Sequence, residues 1–184
     1  LSLRRQRQMC IRDSYEVAIL HLCTSIMPDL KIVWCDSGYN TKATYIYAEK
    51  IIADLNLNIH LYTPKQTSAH REIFMGEVPE VDDPRHAEFT EQVKLEPFRR
   101  AMSEINPDLW ITNLRKGQTA FRDGLNIISQ TKKGLLKLSP FYHWSDKNLD
   151  VYMEENSLLN EYDYFDPTKV DEKRECGLHS KEGQ

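Results

Sequence analysis

Lys31-Ile32-Val33-Trp34-Cys35, followed at once by Asp36-Ser37-Gly38-Tyr39, is the stretch whose reading decides the fold. The first five residues form a short, β-rich apolar run that suits an interior strand, and Asp-Ser-Gly ends it in a turn. On its N-terminal side, Val17, Ile19, Leu20, Leu22, Cys23 and Ile26 recur at helical spacing over 15–27, and Pro28 stops them. On its C-terminal side, Asn40 or Thr41 can cap a helix over 41–55, with Ala43, Tyr47, Ile51 and Leu55 on one face. Asn58 to Tyr62 reads as a second strand, Asp108 to Thr112 as a third and Leu135 to Leu138 as a fourth.

Between the second and third strands the pattern changes. Residues 63–84 hold three prolines, Gly76 and several acids, and read as a long surface excursion with one helical turn near 70–74. A helical region follows from Arg85, interrupted by Pro97, and is clearest over Glu96 to Ile105. Ser145 caps a last helix, Ser145 to Glu155, with Asp146 in its first turn. Beyond Asn156 the chain is acidic, rich in tyrosine and without period, the pattern of a mobile tail. Strands separated by helical crossovers imply an α/β, doubly wound, mostly parallel sheet with helices on both faces. Ligands of such sheets bind outside the carboxyl ends of the strands. Polar motifs directly follow three of the strands: Asp36-Ser37-Gly38-Tyr39, then Asn113 to Gln118, then Ser139-Pro140.

The 184 residues suit one domain able to bury a core, and no apolar run approaches the ~18 residues of a membrane span. A soluble, cytoplasmic protein without a membrane partner is expected. With 24 basic and 28 acidic residues the net charge is −4, which argues against broad nucleic-acid binding and leaves room for a local basic pocket and an anionic small molecule. The cysteines at 10, 23, 35 and 176 show neither Cys-x-x-Cys nor metal-ligand spacing, so no metal site is expected. Cys23 and Cys35 lie in apolar stretches and read as inert core thiols.

Cys176 differs. It stands in Lys173-Arg174-Glu175-Cys176-Gly177-Leu178-His179, between two cations and a histidine. A free thiol near 8.5 is only about 3% thiolate at pH 7, and neighbouring positive charge lowers that value; at about 7, half would be reactive. Lys173, Arg174 and His179 can supply that charge, although His179 can equally be a plain tail histidine. Cys176 is therefore the candidate nucleophile. A reducing compartment suits its unpaired thiol.

The heptad Lys-Arg-Glu-Cys-Gly-Leu-His resembles the active-site tail of the phosphoadenylyl-sulfate (PAPS) reductases. Asp36-Ser37-Gly38-Tyr39 resembles their Asp-Thr-Gly-Tyr turn, and Leu114 to Arg122 resembles their Leu-Arg-x-x-Gln-Ser-x-x-Arg segment. Lys94-Leu95-Glu96-Pro97 matches their Lys-Val-Glu-Pro helix start. The likeness covers roughly 15–179 with the motifs in order, which is more specific than any one of them.

The resemblance implies an adenine-nucleotide α-hydrolase-like, Rossmann-like fold and an oxidoreductase of sulfate assimilation. Such an enzyme reduces 3'-phosphoadenylyl sulfate to sulfite and adenosine 3',5'-bisphosphate. Cys176 would attack the sulfuryl sulfur to give an S-sulfocysteine, and thioredoxin or glutaredoxin would release sulfite. Arg115, Gln118 and Arg122 would meet the anionic end of the sulfonucleotide, as bidentate guanidinium chemistry suits; Lys94 could reach a phosphate. In the turn, Asp36 or Ser37 would bond ribose or adenine and Gly38 would allow close approach. The bland readings are a helix-entry turn, a solvated basic loop and a surface lysine. A homodimer is also implied.

Iron-sulfur relatives carry a Cys-Cys pair just before the Lys-x-Glu-Pro stretch, where this chain has Gln92-Val93, so the resemblance points to the cluster-free branch with no bound cofactor. An adenylyl-sulfate reductase, a nucleotide-activating sulfurtransferase of the same fold and a catalytically inactive nucleotide-binding remnant are the alternatives. The Ser/Gly-rich nucleotide loop expected before the first helix is missing, and Asp13-Ser14 only echoes its end. Backbone amides clear of side chains are what cradle phosphates, so its loss would weaken nucleotide binding. Residues 1–14, basic and without period, accordingly read as a disordered or non-native-looking arm. The division expected is that arm, an α/β nucleotide-binding domain over 15–156 and a catalytic C-terminal tail over 157–184.

Overall fold

Six strands make one sheet in a computed structural model that describes residues 5–9, 15–80, 82–118, 120–131 and 134–159. In chain order the elements are β1 (Arg5–Met9), α1 (Glu16–Ile26), β2 (Lys31–Cys35), α2 (Lys42–Asp54), β3 (Asn58–Tyr62), α3 (Ser68–Met75) and α4 (His86–Thr90). A π-helical turn (Glu91–Leu95) leads into α5 (Glu96–Ile105), followed by β4 (Leu109–Ile111), α6 (Ala120–Asp123), β5 (Ile128–Gln130), β6 (Leu136–Leu138) and α7 (Asp146–Glu155). The sheet order is β3-β2-β1-β4-β6-β5; every pairing is parallel except β5 with β6. This is the expected mostly parallel α/β architecture.

Alternation along the strands sends side chains to two cores. Ile32 and Trp34 of β2 and Ile111 of β4 pack with α1, α2 and α7 through Leu20, Ile51 and Leu149. Val33 and Tyr62 face the other way onto Ala101 and Ile105 of α5, and Trp110 meets Phe98 beside them. Helices therefore cover both faces of the sheet, as short apolar strands require.

The caps expected from the sequence form. Thr41, rather than Asn40, accepts a bond from the Thr44 amide at 3.1 Å, and Ser145 shares a reciprocal capping box with Asn148. The buried stripe of α2 is Thr44, Ala48 and Ile51, turned one residue from the expected set; of that set only Ile51 is fully buried. Tyr47 and Leu55 pack at the margin and Ala43 is exposed.

Four expectations need correction. Arg5–Met9, inside the arm expected to stay outside the fold, is the strand between β2 and β4, held by backbone ladders on both sides. Its sequence, Arg-Gln-Arg-Gln-Met, gives no apolar signal, so only pairing geometry could reveal it. The excursion after β3 contains a full eight-residue helix capped by Thr67, not one turn. Pro97 does not interrupt the helical region. A proline lacks a donor and crowds the carbonyl four residues earlier, and the wider π turn just before it gives that ring room within a continuous run from His86 to Ile105. Finally, β5 adds an antiparallel edge hairpin that its three residues did not signal. Among the described residues no helix is long and apolar enough to cross a membrane.

Candidate active site

The sheet order reverses between β1 and β4, which puts the binding crevice of a doubly wound sheet at the carboxyl ends of β1, β2 and β4. The turn after β2 and the loop after β4 stand there two strand spacings apart, roughly 10 Å.

The turn after β2 is built by Asp36. Its Oδ1 accepts bonds from the Gly38 amide at 2.9 Å, Asn40 Nδ2 at 2.8 Å and the Tyr45 hydroxyl at 2.9 Å. Ser37 Oγ accepts from the Tyr39 amide at 3.3 Å, and Gly38 takes φ +79°, a left-handed conformation that glycine adopts without strain. Burial, then the bond to Asp36, pushes the Tyr45 phenol up to about 12. The Asp36 carboxylate thus holds the turn itself, and Oδ2, bonded to Tyr45 at 3.0 Å, is the oxygen with fewer protein partners. Tyr39 and Phe89 pack with their rings steeply inclined, centres 5.4 Å apart, and the Tyr39 hydroxyl accepts from Arg71.

The loop after β4 brings Arg115, Gln118 and Arg122 together. Gln118 Oε1 accepts from the Arg115 amide at 3.1 Å and from Arg122 Nη1. The Arg115 guanidinium is buried, bonds Asp146 Oδ1 at 2.5 Å through Nη1 and lies 5.1 Å from the centre of the Tyr15 ring. Burial, and next a bond to Asp150, raises the Tyr15 phenol to about 12. Behind the loop, the Tyr142 hydroxyl donates to the Arg122 carbonyl at 2.8 Å, and Gly117 donates its amide to Asp123 at 2.6 Å. Two arginines anchored at a strand's carboxyl end can grip an oxyanion with planar, bidentate geometry. The solvated-loop reading fails for Arg115 because it is buried.

Lys94 sits in the π turn and is only 3% exposed, so the surface-lysine reading fails for it as well. Two residues earlier, the Gln92 carboxamide accepts from Arg71 Nε at 3.0 Å and donates to Glu88 at 3.0 Å, while Val93 is core. Ser139, expected as a polar residue after the fourth strand, is buried against Thr112, with their hydroxyl oxygens 2.8 Å apart. Cys23 is buried, as expected; Cys35 is half-buried at the end of β2. Lys173, Arg174, Cys176 and His179 lie outside the described residues. Arg71 and Tyr45 were missed by sequence reasoning, and Asp146 was read only as a first-turn acid of α7; each is recognised as a site residue only by what it touches.

The sequence matches the "Phosphoadenosine phosphosulfate reductase domain" family over residues 14–161. A phosphoadenosine 5'-phosphosulfate reductase of Vibrio campbellii is 33% identical over 187 residues, covering 90% of this chain and 72% of the relative. One of Alteromonas mediterranea is 30% identical over 183 residues, covering 88% and 73%. Among solved structures, PAPS reductase from Candida auris in a phosphate complex aligns with a TM-score of 0.71 at 21% identity, over 85% of this chain and 74% of that one. Candida glabrata FMN adenylyltransferase with FAD and inorganic pyrophosphate shares the fold more distantly, with a TM-score of 0.57 at 14% identity, over 83% and 49%. With a match spanning most of its length and relatives at this identity, the chain belongs to the phosphoadenosine phosphosulfate reductase family.

Proposed function

We infer that the protein is an oxidoreductase that reduces phosphoadenosine phosphosulfate to sulfite. The observation that carries this reading is the family match over 14–161 together with the Arg115-Gln118-Arg122 cluster at the crevice. Arg115 and Arg122 bind the anionic end of the sulfonucleotide, Lys94 adds charge, and the turn Asp36-Ser37-Gly38-Tyr39 lies against the nucleoside. The thiolate of Cys176 attacks the sulfuryl sulfur. An S–S bond forms, the S–O bond to the phosphate breaks, and adenosine 3',5'-bisphosphate leaves with the electron pair. A dithiol of the thioredoxin or glutaredoxin class then attacks Cys176 Sγ. Sulfite departs as S(IV), the second thiol closes a disulfide on the reductant, and Cys176 is regenerated. Lys173, Arg174 and His179 lower the thiol's pKa by their charge.

Gln92 and Val93 support the cluster-free branch, because the positions at which cluster-bearing relatives carry cysteines hold an amide bonded to Arg71 and Glu88 and a core valine. A homodimer in a reducing cytoplasm belongs to the same reading. The test incubates the protein with phosphoadenosine phosphosulfate before any reductant is added and looks for a sulfonate adduct on Cys176 by mass spectrometry, then for sulfite once thioredoxin is supplied. Cys176→Ser should bind nucleotide and release no sulfite. Turnover that survives this substitution sinks the mechanism, and binding without turnover by the unaltered protein marks an inactive remnant.

A further inference from the structure

Arg71 is 2% exposed, yet every partner found for it among the described residues is neutral. Its Nε donates to Gln92 Oε1 and its Nη2 to the Gln66 carbonyl, both at 3.0 Å. Its Nη1 donates to the Tyr39 hydroxyl at 3.4 Å, with the guanidinium carbon 5.9 Å from that ring's centre. The carboxylate of Glu88 is reached only through the Gln92 amide. A buried cation without a contacting counter-charge is costly, and hydrophobic burial does not explain its place. Of the large apolar residues of its helix, Ile73 and Phe74 are 79% and 72% exposed, and only Met75, at the helix's last position, is buried. What the guanidinium does is join three separate segments with one rigid fork: the turn after β2 through Tyr39, the start of the excursion through Gln66, and the π turn through Gln92.

We propose that Arg71 is a positioning residue for the substrate site, locking the Tyr39 turn and the Lys94-bearing π turn into a single arrangement. The proposal rests on the reading of those two segments as substrate-binding. Lys94 lies in the π turn that Gln92 anchors, so movement of Gln92 moves the backbone that carries Lys94. Tyr39 follows directly on Asp36-Ser37-Gly38. Lysine cannot replace arginine here, since an ammonium is a point donor without the planar spread needed to bond three differently placed acceptors.

The experiment compares Arg71→Lys, Arg71→Met and Tyr39→Phe in the whole chain. Arg71→Lys keeps the charge and guards against a simple folding failure of the methionine variant. Adenosine 3',5'-bisphosphate affinity should fall about tenfold in both Arg71 variants, and KM should rise by a similar factor while kcat changes by less than about threefold. Adding Tyr39→Phe to Arg71→Lys should cost much less than Tyr39→Phe alone, the non-additivity of groups that act together. Amide hydrogen exchange should quicken in 36–41 and 91–95 together, with α1 and β2 unchanged. Exchange that quickens only within α3, or unchanged nucleotide affinity, overturns the proposal. If the unaltered protein itself fails to bind the nucleotide, the functional reading falls, and the exchange measurement alone still decides whether Arg71 couples the two segments.

Discussion

The Tyr45 hydroxyl, presented from the first turns of α2, bonds both oxygens of the Asp36 carboxylate, at 2.9 and 3.0 Å. The carboxylate proposed, with Ser37 as the alternative, to bond ribose or adenine therefore also braces its own turn, with Gly38 and Asn40 completing the set. A turn organised before ligand arrives binds at lower ordering cost, so the two roles reinforce each other.

Tyr45→Phe should accordingly affect both stability and binding. Loss of a hydrogen bond to a charged acceptor costs about 1.5–3 kcal/mol, which for a chain of this size lowers Tm by roughly 3–12 °C. Nucleotide affinity should fall as the turn loosens. Isothermal titration and thermal unfolding on the same preparation check it. A variant of unaltered stability would show that the Asp36 turn holds without its phenol.

The same phenol predicts alkaline behaviour. Tyr45 and Tyr15 are both raised to about 12 from the ordinary 10. Between those values the folded protein holds protons that the unfolded chain has released, so unfolding free energy falls as pH rises. Stability should be flat just below pH 10 and decline between about 10 and 12 on account of these groups. The slope should be shallower in Tyr45→Phe and shallower again once Tyr15→Phe is added. Denaturant midpoints across that range provide the measurement, and identical slopes in all three proteins would refute the assignment.

How much of this was legible in the sequence follows from where apolar period and recognition coincide. β2, β4 and helices α1, α2, α5 and α7 announce themselves by apolar runs, stripes and caps, because most of those residues face a core, while β3 and β6 give the same apolar signal although Leu61 and Leu136 are 54% and 44% exposed. α3 reads against its period: Ile73 and Phe74 are exposed to solvent, while Arg71 and Met75 are buried. β1 is polar apart from Met9 and is defined by its two ladders. In the candidate site, Arg115, Gln118 and Arg122 were found because their spacing matches a family segment. Arg71 and Tyr45 carry no local signal, since their partners lie on other elements.

Gln118 offers a test of the anion site that leaves the fold in place. Its Oε1 already gathers the Arg115 amide and the Arg122 guanidinium. Gln118→Glu keeps that geometry and adds a negative charge where the substrate's should go. At partly shielded separations a unit charge is worth about 1–3 kcal/mol, so adenosine 3',5'-bisphosphate affinity should drop at least about tenfold with stability equal or higher. Gln118→Ala, which only removes the bridge, should lose less. Glutamate tolerated without loss of affinity would place the nucleotide's anion elsewhere.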